Sequence, residues 1–133
     1  MEINKMNQII SFKPYLIGNV LSGEKDLTTR IATPYRTKLG IGDTAYIYTG
    51  IRTKKAKKHA EAIIINKWSW NQAQLTLNTS PIREIEWNEF WRREGFEDGE
   101  SLYDYFTQKA YLQKNLLTFQ FKLIKTISLQ KWL

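Results

Sequence analysis

The sequence predicts an α+β domain, built as a small, strongly bent sheet or closed barrel with a few short helices. Three observations carry this. Stretches that alternate apolar and polar residues, such as "TAYIYT" and "LTFQFKLI", recur along the chain and mark strands. Two stretches with helical spacing, "REIEWNEFWRRE" and "GESLYDYFTQKAYL", fall together before the last strand. The 133 residues, 42% hydrophobic and 14% aromatic, can bury a core without disulfides or metals. No repeat, low-complexity run or linker interrupts them, so a single domain over residues 1–133 is expected.

The elements follow in order. "QIISFKP" reads as a strand closed by Pro14, which then opens a short helix over "PYLIGNVLSG". Leu16, Ile17, Val20 and Leu21 share one helical face, and Gly23 supplies a stop. "DLTTRI" is a second short strand. Gly42-Asp43 is a turn that feeds a strand over 44–52, with Tyr46 and Tyr48 on one face and Ala45 and Ile47 on the other. "KKAKKHA" interrupts the pattern and "EAIIINKWSW" resumes it as a long strand, which "NQAQLTLNTS" extends through Leu75 and Leu77. The two helices come next. Asp98 suits the N-cap of the second, with Phe96 placed to staple back onto it. "LLTFQFKLIKTISLQKW" closes the chain with one or two strands. Five or six strands are expected in all.

Composition excludes several chemistries. There is no cysteine, hence no disulfide, thiolate nucleophile or Cys-ligated zinc. The single histidine, His59, cannot build a His-rich metal site. No GxGxxG, Walker loop, HExxH or GxSxG occurs, and neither a metal nor a cofactor is expected. The first residues lack the apolar run of a secretory leader, and the longest aliphatic run, "AIII", is too short to cross a bilayer. A soluble, cytoplasmic protein without membrane contact is the expectation.

Charge is unevenly spread. The net charge is +7, yet residues 84–104 hold eight of the thirteen acids and only two bases, Arg92 and Arg93. The rest of the chain is strongly basic, which suits a polyanion partner such as RNA. The run "RTKKAKKHA" concentrates Arg52, Lys54, Lys55, Lys57 and Lys58, a hairpin able to follow a phosphate backbone or simply to face water. Tyr46, Tyr48, Trp68 and Trp70 are candidate stacking platforms for bases, or core residues.

Two stretches could carry chemistry. In "SGEKDLTTR", Lys25 lies at the mouth of a strand on which Thr28 and Arg30 share a face. An amine, a hydroxyl and a guanidinium converging there can bind phosphate, carboxylate or a base edge. The same residues also suit a solvated turn. In "WRREGFEDGE", Glu94 ends a helix among Trp87, Phe90, Trp91 and Phe96. Desolvation among those rings would raise its pKa toward that of a general acid or base. Otherwise it is one of many acids on a wet helix.

Taken together these segments resemble the ASCH family, a branch of the PUA-like β-barrel superfamily. The resemblance rests on "ISFKPYLIGNVLSGEKDLTTR", similar to the family's strand, helix and G-x-K-x-x-T-x-R signature. "IGDTAYIYTG", "REGFEDGESLYDYF" and the closing "LTFQFKLI" extend it over about residues 8–124. It implies a small PUA-like mixed β-barrel flanked by short helices, with a cleft beside it that takes RNA or a nucleobase-containing ligand. One compact branch of the family hydrolyses N4-acetylcytidine and related acylated cytosines with a Lys, a Thr and a Glu. By this resemblance the reactive set falls on Lys25, Thr28 and Glu94, with the signature arginine at Arg30; Tyr46 and Tyr48 are the candidate ligand-binding aromatics. An interaction module of the transcription or translation machinery is a further implied role. This chain departs from many members in having Asp26 directly after the lysine. A carboxylate there is expected to favour the charged amine and oppose its reactivity.

Overall fold

The computed structural model describes residues 8–127. Five strands form one sheet: β1 (Ile9–Phe12), β2 (Leu27–Ile31), β3 (Thr44–Thr49), β4 (Lys57–Asn71) and β5 (Asn115–Thr126). Their order is β1-β3-β4-β5-β2. β1 runs parallel to β3 and every other pairing is antiparallel. β4 and β5 are the spine. Their register slips between Glu61 and Ala62 and again between Ile64 and Asn66. Such bulges bend a strand and increase its twist. The sheet therefore curls into a half-barrel, and its two outermost strands approach one another. Arg30 on β2 donates a hydrogen bond to the Ser11 carbonyl on β1, 2.8 Å away, across that seam.

Four short helices join the strands: α1 (Ile17–Ser22), α2 (Pro34–Lys38), α3 (Trp87–Glu94) and α4 (Gly99–Phe106). The α+β architecture expected from the sequence is the one observed. Two apolar clusters hold it. Inside the curl, Phe12, Ile47, Ile64, Phe119 and Phe121 pack with smaller residues of β3 and β4. On the other side α3 and α4 cover Leu27, Trp70 and Leu116 with Phe90, Leu102 and Phe106. Trp70 meets Phe90 and Phe106 edge-on, with ring centroids 6.1 and 5.7 Å apart.

Several expectations need correction. α1 begins with a tighter turn over Pro14–Leu16, and of the expected apolar face only Val20 is fully buried, while Leu21 is exposed. "NQAQLTLNTS" is no strand. Asn71 and Gln74 cap a single 3-10 turn, after which Thr76 and Thr79 bridge across a tight reversal. "KKAKKHA" does not interrupt the sheet as far as expected, since β4 already starts at Lys57. α3 begins at Trp87, later than "REIEW" suggested. The last residues of the expected closing strand, 128–133, lie outside the described residues. Asp98 does cap α4, its carboxylate accepting from the Ser101 N–H at 2.7 Å.

Candidate functional site

The turn after α1 aims Lys25. Gly23 adopts the left-handed conformation, φ +87°, and stops the helix. The chain reverses, and the Lys25 N–H returns to the Asn19 carbonyl at 3.0 Å. The Lys25 side chain then runs inward and is only 4% exposed. Its Nζ donates to the Leu27 carbonyl at 2.7 Å and to the backbone carbonyl of Glu94. The second acceptor is an orphan of the α3 C-terminus, the negative end of the helix dipole. Gly95, φ +95°, ends α3 in a Schellman motif, with Phe96 N–H bonded to Trp91 and Gly95 N–H to Arg92. A Cβ on Gly95 would sit 3.0 Å from the Lys25 Cδ. The helix end and the lysine stem are thus packed directly on one another.

Glu94 is as buried as Lys25, at 4% exposure. Its Oε2 lies 3.9 Å from the Lys25 Nζ, an ion-pair contact too long for a hydrogen bond. Its Oε1 accepts from the Thr29 hydroxyl at 2.5 Å. Behind that hydroxyl stands a relay. Thr29 and Thr118 share a bond of 2.7 Å, and the Trp70 indole donates to Thr118 at 2.7 Å. An indole N–H can only donate. The chain is therefore polarised in one direction, from Trp70 through Thr118 and Thr29 to the carboxylate. Arg30 Nε donates to the Thr28 hydroxyl at 2.9 Å, which leaves that hydroxyl's own proton to be given elsewhere.

These contacts set the electrostatics. Burial is the largest influence on Lys25 and lowers its ammonium from 10.5 to about 8; Glu94 opposes the fall and Arg30 adds to it. Burial likewise raises the Glu94 carboxyl, against the pull of Lys25, the Thr29 hydroxyl and Arg30. Burial and then Arg36 lower the Arg30 guanidinium to about 10, so it stays cationic at neutral pH. Asp26 acts on Lys25 in the expected direction, favouring the charged amine, but weakly. Arg93 holds both of its carboxylate oxygens, and Asp26 exerts the weakest of the four influences on Lys25.

Lys25, Thr28, Arg30 and Glu94 line one cleft of about 640 Å³ beside the seam of the half-barrel. Its walls add Phe12 and Lys13 from the end of β1, Phe96 after α3, and Tyr105 from α4. The Phe12 ring lies under both cations, with Lys25 Nζ at 5.5 Å and the Arg30 guanidinium at 5.1 Å from its centroid. Thr29, Thr118, Arg36 and Tyr111 belong to the site or its support and were not singled out for it from the sequence; Trp70, a candidate stacking platform or core residue there, is buried and supports the site from behind through Thr118. Tyr46 and Tyr48 do not join it. Strand parity turns Ala45, Ile47 and Thr49 inward and both tyrosines to the opposite face, where the Lys58 ammonium covers the Tyr46 ring at 4.8 Å. The basic run does not line the cleft either. Arg52, Lys54, Lys55 and Lys57 are exposed on and beside the β3–β4 turn, and Lys58 is paired with Glu61 at 2.6 Å. Phe12 pairs with Thr49, so that turn begins next to the cleft wall at Lys13. Among the described residues there is no cluster of potential metal ligands and no helix long and apolar enough to cross a membrane.

Neither a family model nor a curated protein sequence matches the chain. Solved structures do. ASCH from Zymomonas mobilis superposes with a TM-score of 0.53 at 19% identity, over 94% of this chain and 76% of that one. The hypothetical protein PH0355 gives 0.56 at 13% identity, over 87% of this chain and 97% of that one. Protein EF3133 from Enterococcus faecalis gives 0.56 at 13% identity, over 86% and 72%. The likeness is one of fold. The described residues have an ASCH-like fold, a mixed five-stranded half-barrel with four short helices.

Proposed function

We propose that the cleft binds a nucleobase-containing ligand, free or as part of RNA. The observation that supports this best is the convergence of Lys25, Thr28, Arg30 and Glu94 on one aromatic-walled cleft of about 640 Å³. That volume suits a ligand of nucleoside or nucleotide size. Aromatic side chains offer sequence-tolerant stacking, and buried donors and acceptors read the polar rim of a base. Arg52, Lys54, Lys55 and Lys57, on the turn beyond Lys13, would meet the phosphates of a longer strand. Binding of single-stranded RNA against salt tests the reading. Neutralising Lys54, Lys55 and Lys57 is expected to flatten the salt slope, and Lys25→Ala to weaken binding of cytidine itself. Salt-independent binding, or a Lys25→Ala variant that binds cytidine as the parent does, would count against it.

A second reading, hydrolysis of an N4-acylated cytosine nucleoside, is favoured by the lowering of Lys25 to about 8. A neutral Lys25 would take a proton from a water held by Thr28. The resulting hydroxide attacks the amide carbonyl, and Thr28 and Arg30 face the oxyanion. Through a water bridging the 3.9 Å between them, Glu94 receives the proton from Lys25 and gives it to N4 as the C–N bond breaks, releasing a carboxylic acid and the cytosine nucleoside. Incubation with N4-acetylcytidine is the test. Cytidine release that disappears in folded Lys25→Ala supports hydrolysis, and no release from the parent protein leaves the binding reading alone.

A further inference from the structure

We infer that one end of the cleft is an anion subsite, built by Arg30 and Arg36, that takes the phosphate monoester of a nucleotide. The inference rests on the nucleobase reading for the rest of the ligand, but its own evidence is separate. Arg36 comes from α2, an element with no role in the signature segments. Thr33 caps that helix, its hydroxyl accepting from the Arg36 N–H at 3.2 Å, which fixes where the side chain starts. The guanidinium then reaches back to the carbonyl of Ile31 at 2.9 Å and lines the same cleft as Arg30.

Both forks are incompletely used. Arg30 spends Nε on Thr28 and one terminal nitrogen on Ser11; its other terminal nitrogen has no partner among the described residues. Arg36 spends only one terminal nitrogen. No buried side-chain nitrogen or oxygen among the described residues lacks a partner, so the unused Arg30 group is open to the cleft. Among the described residues, no carboxylate lies within 4.0 Å of either guanidinium. Two like charges therefore face one cavity without a paired carboxylate; after burial, Arg36 is the largest influence lowering the Arg30 guanidinium, and Glu94, farther along the same cleft, offsets it only in part. Tyr105 and Tyr111 line the cleft beside them, 5.5 Å apart between ring centroids, and add phenol hydroxyls.

The chemistry selects the anion. A carboxylate carries one charge and two acceptor oxygens. A phosphate monoester carries nearly two charges at neutral pH and three terminal oxygens, which matches two guanidinium forks and a phenol. A nucleoside brings no negative charge to either cation. The ligand class narrows accordingly, from any nucleobase compound to a nucleoside monophosphate or a phosphate-terminated strand end.

Calorimetric affinities for cytidine and cytidine monophosphate, with inorganic phosphate as a third probe, test this on the parent chain and on Arg36→Met. The monophosphate is expected to bind at least tenfold more tightly than cytidine. Arg36→Met is expected to remove that advantage, lowering the monophosphate's affinity at least tenfold more than cytidine's. Equal binding of the two ligands, or an equal loss of both in Arg36→Met, would overturn the subsite. If neither ligand binds, the nucleobase reading fails and inorganic phosphate decides alone. A saturable shift of the Arg36 Nε–H resonance at millimolar phosphate supports the subsite, and none overturns it. Should Arg36→Met fail to fold, Arg36→Lys replaces it. That variant keeps a charge but loses the fork, and most of the advantage should go.

Discussion

Arg93 grips Asp26 through two parallel hydrogen bonds, Nε to Oδ1 and a terminal nitrogen to Oδ2, each 2.7 Å long. Gln120 adds a longer bond to the same carboxylate, at 3.3 Å. This arrangement keeps the residue next to Lys25 occupied elsewhere. Arg93→Gln is expected to release Asp26 toward the ammonium and raise Lys25 above about 8, by roughly one pH unit for a newly available carboxylate. Titration of the Lys25 side-chain resonance measures it. The stability loss should be small, about 0.5–1 kcal/mol, because the pair is partly exposed.

Gly95 joins two demands, a left-handed backbone and contact with the Lys25 stem. Gly95→Ala is expected to destabilise the fold by about 1–2 kcal/mol through the backbone alone. It should also weaken ligand binding, because the added methyl displaces Lys25. Denaturant midpoints and cytidine affinity, compared with Gly23→Ala, separate the effects. Gly23 has the same backbone demand, φ +87°, and nothing within 4 Å of an added Cβ. Only Gly95→Ala should impair binding beyond its stability loss.

The relay from Trp70 to Glu94 predicts a graded response at Thr29. Thr29→Val removes a donor to the carboxylate and should raise the Glu94 carboxyl further, since that hydroxyl now holds it down. Stranding Thr118 as well should cost about 1–3 kcal/mol. Thr29→Ser keeps the hydroxyl and should restore both properties. The carboxyl carbon shift of Glu94 against pH reports the ionisation directly.

Lys25 also gives stability a pH dependence. Its folded value, about 8, lies below its ordinary 10.5. Below pH 8 both states are protonated, and the folded chain bears the penalty of a buried charge. Between about 8 and 10.5 the unfolded chain still holds the proton that the folded chain has released, so this contribution to stability rises with pH. Urea midpoints from pH 7 to 10 should show that rise in the parent protein and lack it in Lys25→Met.

The legible part of the site was the part that is contiguous. Lys25, Thr28 and Arg30 fall within six residues, and period two put Thr28 and Arg30 on one face. Glu94 was legible through the helix stop that follows it. Thr29 was not, because its partners Glu94 and Thr118 are 65 and 89 residues away and meet it only after β2 docks on β5. Arg36 was hidden by the brevity of α2, whose five residues bury no apolar side chain and leave no period to read. The false strand at 71–80 had the right alternation, but Asn71 and Gln74 exchange hydrogen bonds that close a turn, and Asn78 adopts a positive φ of 71°. Parity correctly separated Tyr46 and Tyr48 from Ala45 and Ile47, yet it could not say that neither face of β3 lines the cleft.

The carbonyls that Lys25 and Arg36 occupy have a second meaning. β2 ends the sheet, and the carbonyls of Leu27 and Ile31 point away from β5, on the side where a sixth strand would add. An uncovered edge of this kind is a template for aggregation. Two of its acceptors are taken by the side chains proposed to hold the ligand. On the reading proposed above, the same two cations that would recognise the ligand also cover two acceptors of this edge. A variant that removes either one bares a stretch of sticky backbone, and its sedimentation behaviour belongs beside its affinity.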